Sequence, residues 1–174
     1  SGIAVIAAGP VANRAVEAAV ATRERTGWNP SIYNIRYIKP LDTTLLSEIC
    51  RNYSRIITVE EGCITGGLYG AVAEFASSQE DPKPIKAVAI PDRYLSQGTQ
   101  QELREECGLT TEELEKVFES EFEKISKKSF LVYKLHKNAK SEYRFLTNTY
   151  KNPAHFKLRG IKINFCFLKE KCSF

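Results

Sequence analysis

The sequence contains no methionine, and its first histidine is His136. A chain of 174 residues that lacks Met and opens directly on the apolar run IAVIAA is expected to be a fragment of a longer protein. General acid–base chemistry near neutral pH needs a His or a carboxyl group with a shifted pKa. Because residues 1 to 126 have no His at all, we expect no catalytic residue there.

Long apolar runs are also missing, since none approaches the roughly 18 residues that crossing a bilayer requires. The N-terminus has no basic stretch that leads into an apolar signal region. Both absences favour a cytoplasmic protein that makes no contact with a membrane.

The cysteines form neither a CxxC pair nor a cluster with histidine in the first 126 residues. Their number is odd and their spacing is irregular, which favours reduced thiols and argues against a zinc site. We interpret each thiol as a small, buried apolar side chain. The five positions are Cys50, Cys63, Cys107, Cys166 and Cys172.

Charge divides the chain into two parts of opposite sign. Residues 1 to 126 hold 13 Lys and Arg against 19 Asp and Glu, and residues 127 to 174 hold 12 against 2, so the net charges are −6 and +10. With 43% hydrophobic residues, the chain has material for one buried core. We therefore predict a folded domain over 1 to 126 and a basic extension of unknown role over 127 to 174.

The extension interleaves basic and aromatic residues, as in KSFLVYKLHKNAKSEYRF, a pattern that can track a phosphate backbone and stack bases. The alternative is an extension with no ligand. We favour this alternative, because no recognisable nucleic-acid motif accompanies the charge. Nucleic acid is therefore not an expected partner.

Within the first 126 residues, apolar strand patterns at 3–8, 31–38, 55–59 and 85–90 alternate with helical patterns. Asp42 is a good N-cap, and Thr99 with Glu102 has the spacing of a capping box. Strands joined by helical crossovers pair in parallel. The prediction is a three-layer α/β domain, with a mostly parallel sheet of about four or five strands flanked by helices.

Three stretches, RYIKPLD at 36–42, TVEEGCITGGLYGAVAEF at 58–75 and IPDRYLSQGTQQELREECGLTTEEL at 90–114, carry a resemblance to a known family. The first two resemble the C-terminal domain of the transketolase-type thiamine diphosphate enzymes. The third resembles one branch, the 1-deoxy-D-xylulose-5-phosphate synthases. The resemblance extends over residues 2 to 125 and supports the predicted fold.

The resemblance implies a parent transferase that condenses pyruvate with glyceraldehyde 3-phosphate, with loss of carbon dioxide, for isoprenoid, thiamine and pyridoxal synthesis. In that family, the N-terminal domain holds the diphosphate of the cofactor and Mg²⁺, the middle domain supplies the glutamate that activates the aminopyrimidine, and the enzyme is a homodimer. This chain has no counterpart of those cofactor motifs. It is expected to bind no cofactor or metal, to be inactive alone, and to dock onto the other two domains.

Several charged residues and glycines are predicted to share one rim, because ligands of open α/β sheets gather outside the carboxyl ends of the strands. One interpretation is an anion site, formed by a guanidinium and by backbone N–H groups at a helix start. The other is a set of Arg–Glu pairs that fixes the rim and docks it to neighbouring domains or to the second subunit, and we favour it. The candidates are Arg36, Lys39, Glu60, Glu61, Gly66, Gly67, Asp92 and Arg93.

Two further hypotheses stay open. The chain could be a separately encoded C-terminal subunit that completes a transketolase-like or 2-oxoacid dehydrogenase-like thiamine enzyme with a partner. Alternatively, it could be an interaction module whose basic tail binds nucleic acid or an acidic membrane.

Overall fold

The computed structural model describes residues 2 to 127, in which strands and helices alternate. The elements are β1 (Ile3–Ala8), α1 (Val11–Thr26), β2 (Ser31–Asn34), α2 (Thr43–Asn52), β3 (Arg55–Cys63), α3 (Leu68–Ser77), β4 (Ile85–Ile90) and α4 (Gln100–Glu106). A further helix, α5, runs from 111 to 127, where the described part of the chain ends. The predicted basic extension lies outside the described residues, apart from residue 127.

The four strands form one parallel sheet in the order β2-β1-β3-β4. The central strand β1 is buried along nearly its whole length, which is why its sequence is a continuous apolar run instead of an alternating one. Parallel pairing places the carboxyl ends of all four strands at the same edge. The three-layer α/β fold predicted from the sequence is confirmed.

The sheet separates two hydrophobic clusters. Alternate residues of β1 and β3 pack with α1 and α5 on one face, around Phe118 and Leu114. The remaining residues of these strands pack with α2 and α3 on the other face, around Leu46 and Leu68. Each helix layer therefore buries its apolar stripe against a face that the strands leave apolar.

Local signals fix where the helices begin. The Asp42 carboxylate accepts the N–H of Leu45 at 2.9 Å and caps α2. Thr99 and Glu102 form a complete capping box at the start of α4. Among the described residues, no helix has both the length and the apolar character needed to cross a membrane.

Two strand ends differ from the prediction. The edge strand β2 ends at Asn34, so Arg36 and Lys39 lie in the following loop, not at a strand end. Strand β3 continues to Cys63 instead of stopping at Val59, because Cys63 pairs with Ile90 beyond an irregularity in the β3–β4 register. Such a bulge inserts extra residues into one strand.

Candidate functional site

The candidate residues all lie at or near the carboxyl edge of the sheet, in four separate segments. Glu60 and Glu61 are inside the end of β3, and Gly66 and Gly67 directly precede α3. Asp92 and Arg93 follow β4, while Arg36 and Lys39 follow β2 at the opposite side of the sheet. The two glutamates therefore stand on a central strand, between the other candidates.

Glu60 turns its side chain to the α3 face of the sheet and is only 3% exposed. Its Oε2 accepts the N–H of Leu68 at 2.7 Å, and its Oε1 accepts the N–H of Tyr69 at 2.9 Å. These are N–H groups of the first turn of α3, which have no partner within the helix. The partial positive charge of a helix N-terminus also favours a carboxylate. The chain itself thus supplies the anion at this helix start.

Gly67 permits the approach of Glu60 to α3. A Cβ on Gly67 would lie 2.2 Å from Oε2 of Glu60 and 2.6 Å from the carbonyl oxygen of Cys63. The second contact is with backbone, so a side-chain rotation cannot relieve it. Glycine is needed here for space, whereas Gly66 is needed for its backbone conformation, with a φ of 81°.

Glu61 points to the opposite face and gathers two arginines. Its Oε1 accepts hydrogen bonds from Arg14 Nη1 of α1 at 2.8 Å and from Arg104 Nε of α4 at 2.7 Å. The Arg104 hydrogen bond, with that of Arg14, holds the pKa of this carboxyl below its ordinary value, although partial burial opposes the shift. Glu61 therefore links three elements through charge-assisted bonds.

The residues after β4 are bound to α4 and to the turn before α3. Arg93 binds Glu106 at 2.7 Å, and this bond lowers the pKa of the Glu106 carboxyl, which also accepts from Ser96. Asp92 accepts the Thr65 hydroxyl at 3.4 Å, which joins the segment after β4 to the turn before α3. The segment after β4 is therefore fixed by contacts inside the domain.

Arg36 and Lys39 differ from the other candidates. Both are exposed, and neither has an ion-pair partner within residues 2 to 127. Between them, Tyr37 is 68% exposed. The loop borders a depression of about 390 Å³.

Sequence reasoning missed Arg14 and Arg104, the two partners of Glu61. A weak signal existed for Arg14, because it lies in the first turn of the helix that begins directly after β1, at the same edge. Arg104 gave no such signal, since α4 reaches Glu61 only through a loop of nine residues after β4.

The start of α3 does not fit a thiamine diphosphate–magnesium pair. The N–H groups at the start of α3, which could receive a phosphate, are bound by Glu60. Residues 2 to 127 also include no group of three or more His, Cys, Asp or Glu side chains placed to hold a metal ion.

The chain is similar to proteins of a known family. The family model described as "Transketolase, C-terminal domain" matches residues 1 to 114. A 1-deoxy-D-xylulose-5-phosphate synthase of Bacteroides thetaiotaomicron is 39% identical over 114 residues, which cover 66% of this chain and 18% of that protein. The same enzyme of Dictyoglomus turgidum is 39% identical over 107 residues, 62% of this chain and 17% of that protein.

A solved structure described as "Split gene transketolase, inactive beta4 tetramer" is similar with a TM-score of 0.61 and 32% sequence identity. The match covers 68% of this chain and 38% of that one. The chain thus spans less than a fifth of the synthases that it matches.

Proposed function

Because this chain belongs to the transketolase C-terminal domain family, we propose that it is the C-terminal domain of a 1-deoxy-D-xylulose-5-phosphate synthase. The parent is then a thiamine diphosphate-dependent transferase of the cytoplasm, a homodimer that joins pyruvate to glyceraldehyde 3-phosphate with loss of carbon dioxide. Its N-terminal domain binds the diphosphate of the cofactor and Mg²⁺, and its middle domain supplies the glutamate that activates the aminopyrimidine. The domain described here docks onto them and performs no catalysis alone.

The observation that carries the proposal is the similarity of a 114-residue segment of this chain to a synthase that is more than five times longer than that segment. The geometry supports a docking role over a catalytic one. Glu60 is bound to backbone N–H groups and Glu61 to two guanidinium groups, so both carboxylates are engaged inside the domain. Such internal bonds keep the edge of the sheet rigid.

Two measurements on the full chain test this proposal. Calorimetric titration with thiamine diphosphate and Mg²⁺ is expected to show no binding. Mixing the chain with a Bacteroides thetaiotaomicron synthase that lacks its matching C-terminal segment is expected to restore formation of 1-deoxy-D-xylulose 5-phosphate. Tight cofactor binding by the chain alone, or no activity in the mixture while the intact synthase is active, contradicts the proposal.

A second candidate is a separately encoded subunit that completes an active enzyme with a partner chain. The similarity to a split-gene transketolase, which is described as an inactive tetramer, favours this candidate. Under it, the chain assembles with further copies of itself until the partner chain is added. Analytical ultracentrifugation tests this self-assembly. A chain that stays monomeric at all concentrations argues for the first candidate, a C-terminal domain of a synthase.

A further inference from the structure

One loop at the carboxyl edge of the sheet, residues 36 to 40, carries cations that form no ion pair with the rest of the described domain. Arg14, Arg93 and Arg104 each bind a carboxylate of the domain. Arg36 and Lys39 bind none among residues 2 to 127 and are exposed. The edge therefore divides into a part that is bound internally and a loop whose charges are available to another molecule.

The same loop presents apolar surface beside its charges. Tyr37 is 68% exposed, although a Tyr ring gains from burial. The adjoining depression of about 390 Å³ is lined by five apolar or aromatic side chains and three polar ones, namely Ile35, Tyr37, Pro40, Leu41 and Leu45 with Asn34, Arg36 and Asp42. Tyr and Arg side chains are enriched among the residues that dominate the energy of protein interfaces.

The chemistry of the depression favours a carboxylate on an apolar stem over a phosphate. Asp42 also lines it, and its carboxylate caps α2. Repulsion from this fixed negative charge is greater for a dianion than for a single carboxylate. Arg36 lines this depression and Lys39 lies in the same loop, while the Asp42 carboxylate already accepts the N–H of Leu45 at the start of α2. An acidic side chain next to an apolar one matches both features.

We propose that Arg36, Tyr37 and Lys39 form a docking surface for a protein segment that presents a carboxylate beside an apolar side chain. The proposal rests on the proposed function, in which this domain docks onto other domains of a synthase, and it names the surface and the chemistry of the partner. The two cations bind the carboxylate, and the Tyr37 ring with the depression covers the apolar side chain.

The test is an NMR titration of the full chain, labelled with ¹⁵N. The probe is the acetylated and amidated tetrapeptide Leu-Glu-Leu-Glu, compared with its Leu-Gln-Leu-Gln counterpart and with inorganic phosphate. We expect the acidic peptide to shift the amide signals of residues 35 to 45. Because an exposed ion pair contributes little, R36Q/K39Q is expected to weaken binding about 3-fold to 10-fold.

R51Q is the matched control. Arg51 is also exposed and has no ion-pair partner among the described residues, but it lies at the other end of α2, about 10 to 15 Å from the loop. Its substitution is expected to leave the titration unchanged. The proposal is overturned if the peptide shifts only signals from the basic extension, if phosphate or the Gln peptide shifts the loop equally, or if R36Q/K39Q binds as the wild type does.

The reconstitution assay separates this proposal from the function on which it rests. If wild-type chain restores synthase activity and R36Q/K39Q needs about 3-fold to 10-fold more chain to do so, both stand. Equal potency of the variant overturns the docking surface alone. Failure of the wild-type chain overturns the proposed function, whatever the peptide titration shows.

Discussion

Two neighbouring residues of the same type have different partners because a strand alternates its side chains between faces. Glu60 faces α3 and binds backbone N–H groups, whereas Glu61 faces α1 and α4 and binds guanidinium groups. The pair thereby fastens helices on both faces of the sheet to β3. Neither partner set depends on a ligand.

Gly67→Ala tests the close approach between Glu60 and the start of α3. The new Cβ would meet the Cys63 carbonyl oxygen and the Glu60 carboxylate well inside van der Waals distance, so the turn must shift and the buried carboxylate loses hydrogen bonds. We expect the free energy of unfolding to fall by about 2–4 kcal/mol, measured by urea denaturation.

Gly70→Ala is the control for this substitution. Gly70 lies inside α3, and a Cβ there meets nothing within 4 Å. Since Ala favours a helix over Gly, this variant is expected to be neutral or more stable by up to about 1 kcal/mol. Equal destabilisation by both substitutions contradicts the assigned role of Gly67.

At the scale of elements, the ends of β2 and β3 show what the sequence alone could and could not provide. Strand β4 and the start of α2 match the prediction, since the apolar run of β4 and the Asp42 cap are local signals. The β3 extension depends on pairing with Ile90, and the end of β2 depends on its place at the sheet edge. Such long-range pairing leaves no local pattern.

The candidate site shows the same difference between local signals and long-range contacts. Strand alternation and parallel topology were enough to place Glu60 and Glu61 at the carboxyl edge. Their partners come from segments 8 to 47 residues away, and a single sequence does not show which arginine meets which carboxylate. The structure was therefore needed to show which cations are paired inside the domain and that Arg36 and Lys39 are not among them.

The link of β3 to α1 and α4 through Glu61 should give stability a pH dependence. Its pKa is lowered in the folded state, chiefly by the hydrogen bond from Arg104, so its contribution is complete above the ordinary Glu value of about 4.3. The contribution is lost as the pH falls below that value, through the lower folded pKa. Urea unfolding from pH 7 to 3 should show this loss.

Glu61→Gln is the reference for that measurement. The difference in unfolding free energy between wild type and this variant should be constant above about pH 6 and shrink steadily below about pH 4. A difference that stays constant down to pH 3 contradicts the assignment. Glu102 is a comparison for the pH dependence that Glu61 confers. Hydrogen bonds from Thr99 also lower the folded pKa of Glu102, but its side chain binds neither α1 nor β3.

Helix α5 completes the core although it extends past residue 114, where the family match ends. Its Phe118 is fully buried against α1 and the sheet, and Phe122 stacks on Trp28 with ring centroids 4.2 Å apart. Phe118→Ala is expected to cost about 3–5 kcal/mol in urea unfolding and to change the emission of Trp28, the single tryptophan of the chain.

Glu119→Gln serves as the control on the same helix, since it removes one exposed ion pair with Arg25. A loss of at most about 1 kcal/mol is expected from it, with little change in Trp28 emission. If Phe118→Ala is no more harmful than this control, α5 is not part of the core.

At the scale of the whole molecule, three thiols of the described region report how the domain opens. Cys50, Cys63 and Cys107 are free, with Cys50 buried and Cys63 exposed. Burial raises the pKa of Cys50 and of Cys107, so less thiolate is present at neutral pH. Reaction with a thiol reagent therefore depends on both access and ionisation.

In a C166S/C172S background, which leaves only these three thiols, we expect Cys63 to react first with Ellman's reagent. Cys107 should react more slowly, and Cys50 only as fast as the domain unfolds, so that urea accelerates its phase in proportion to the unfolded fraction. Adding C50S should abolish the slow, urea-dependent phase. If Cys50 instead reacts rapidly without urea, α2 opens independently of the sheet, and the domain is not one cooperative unit.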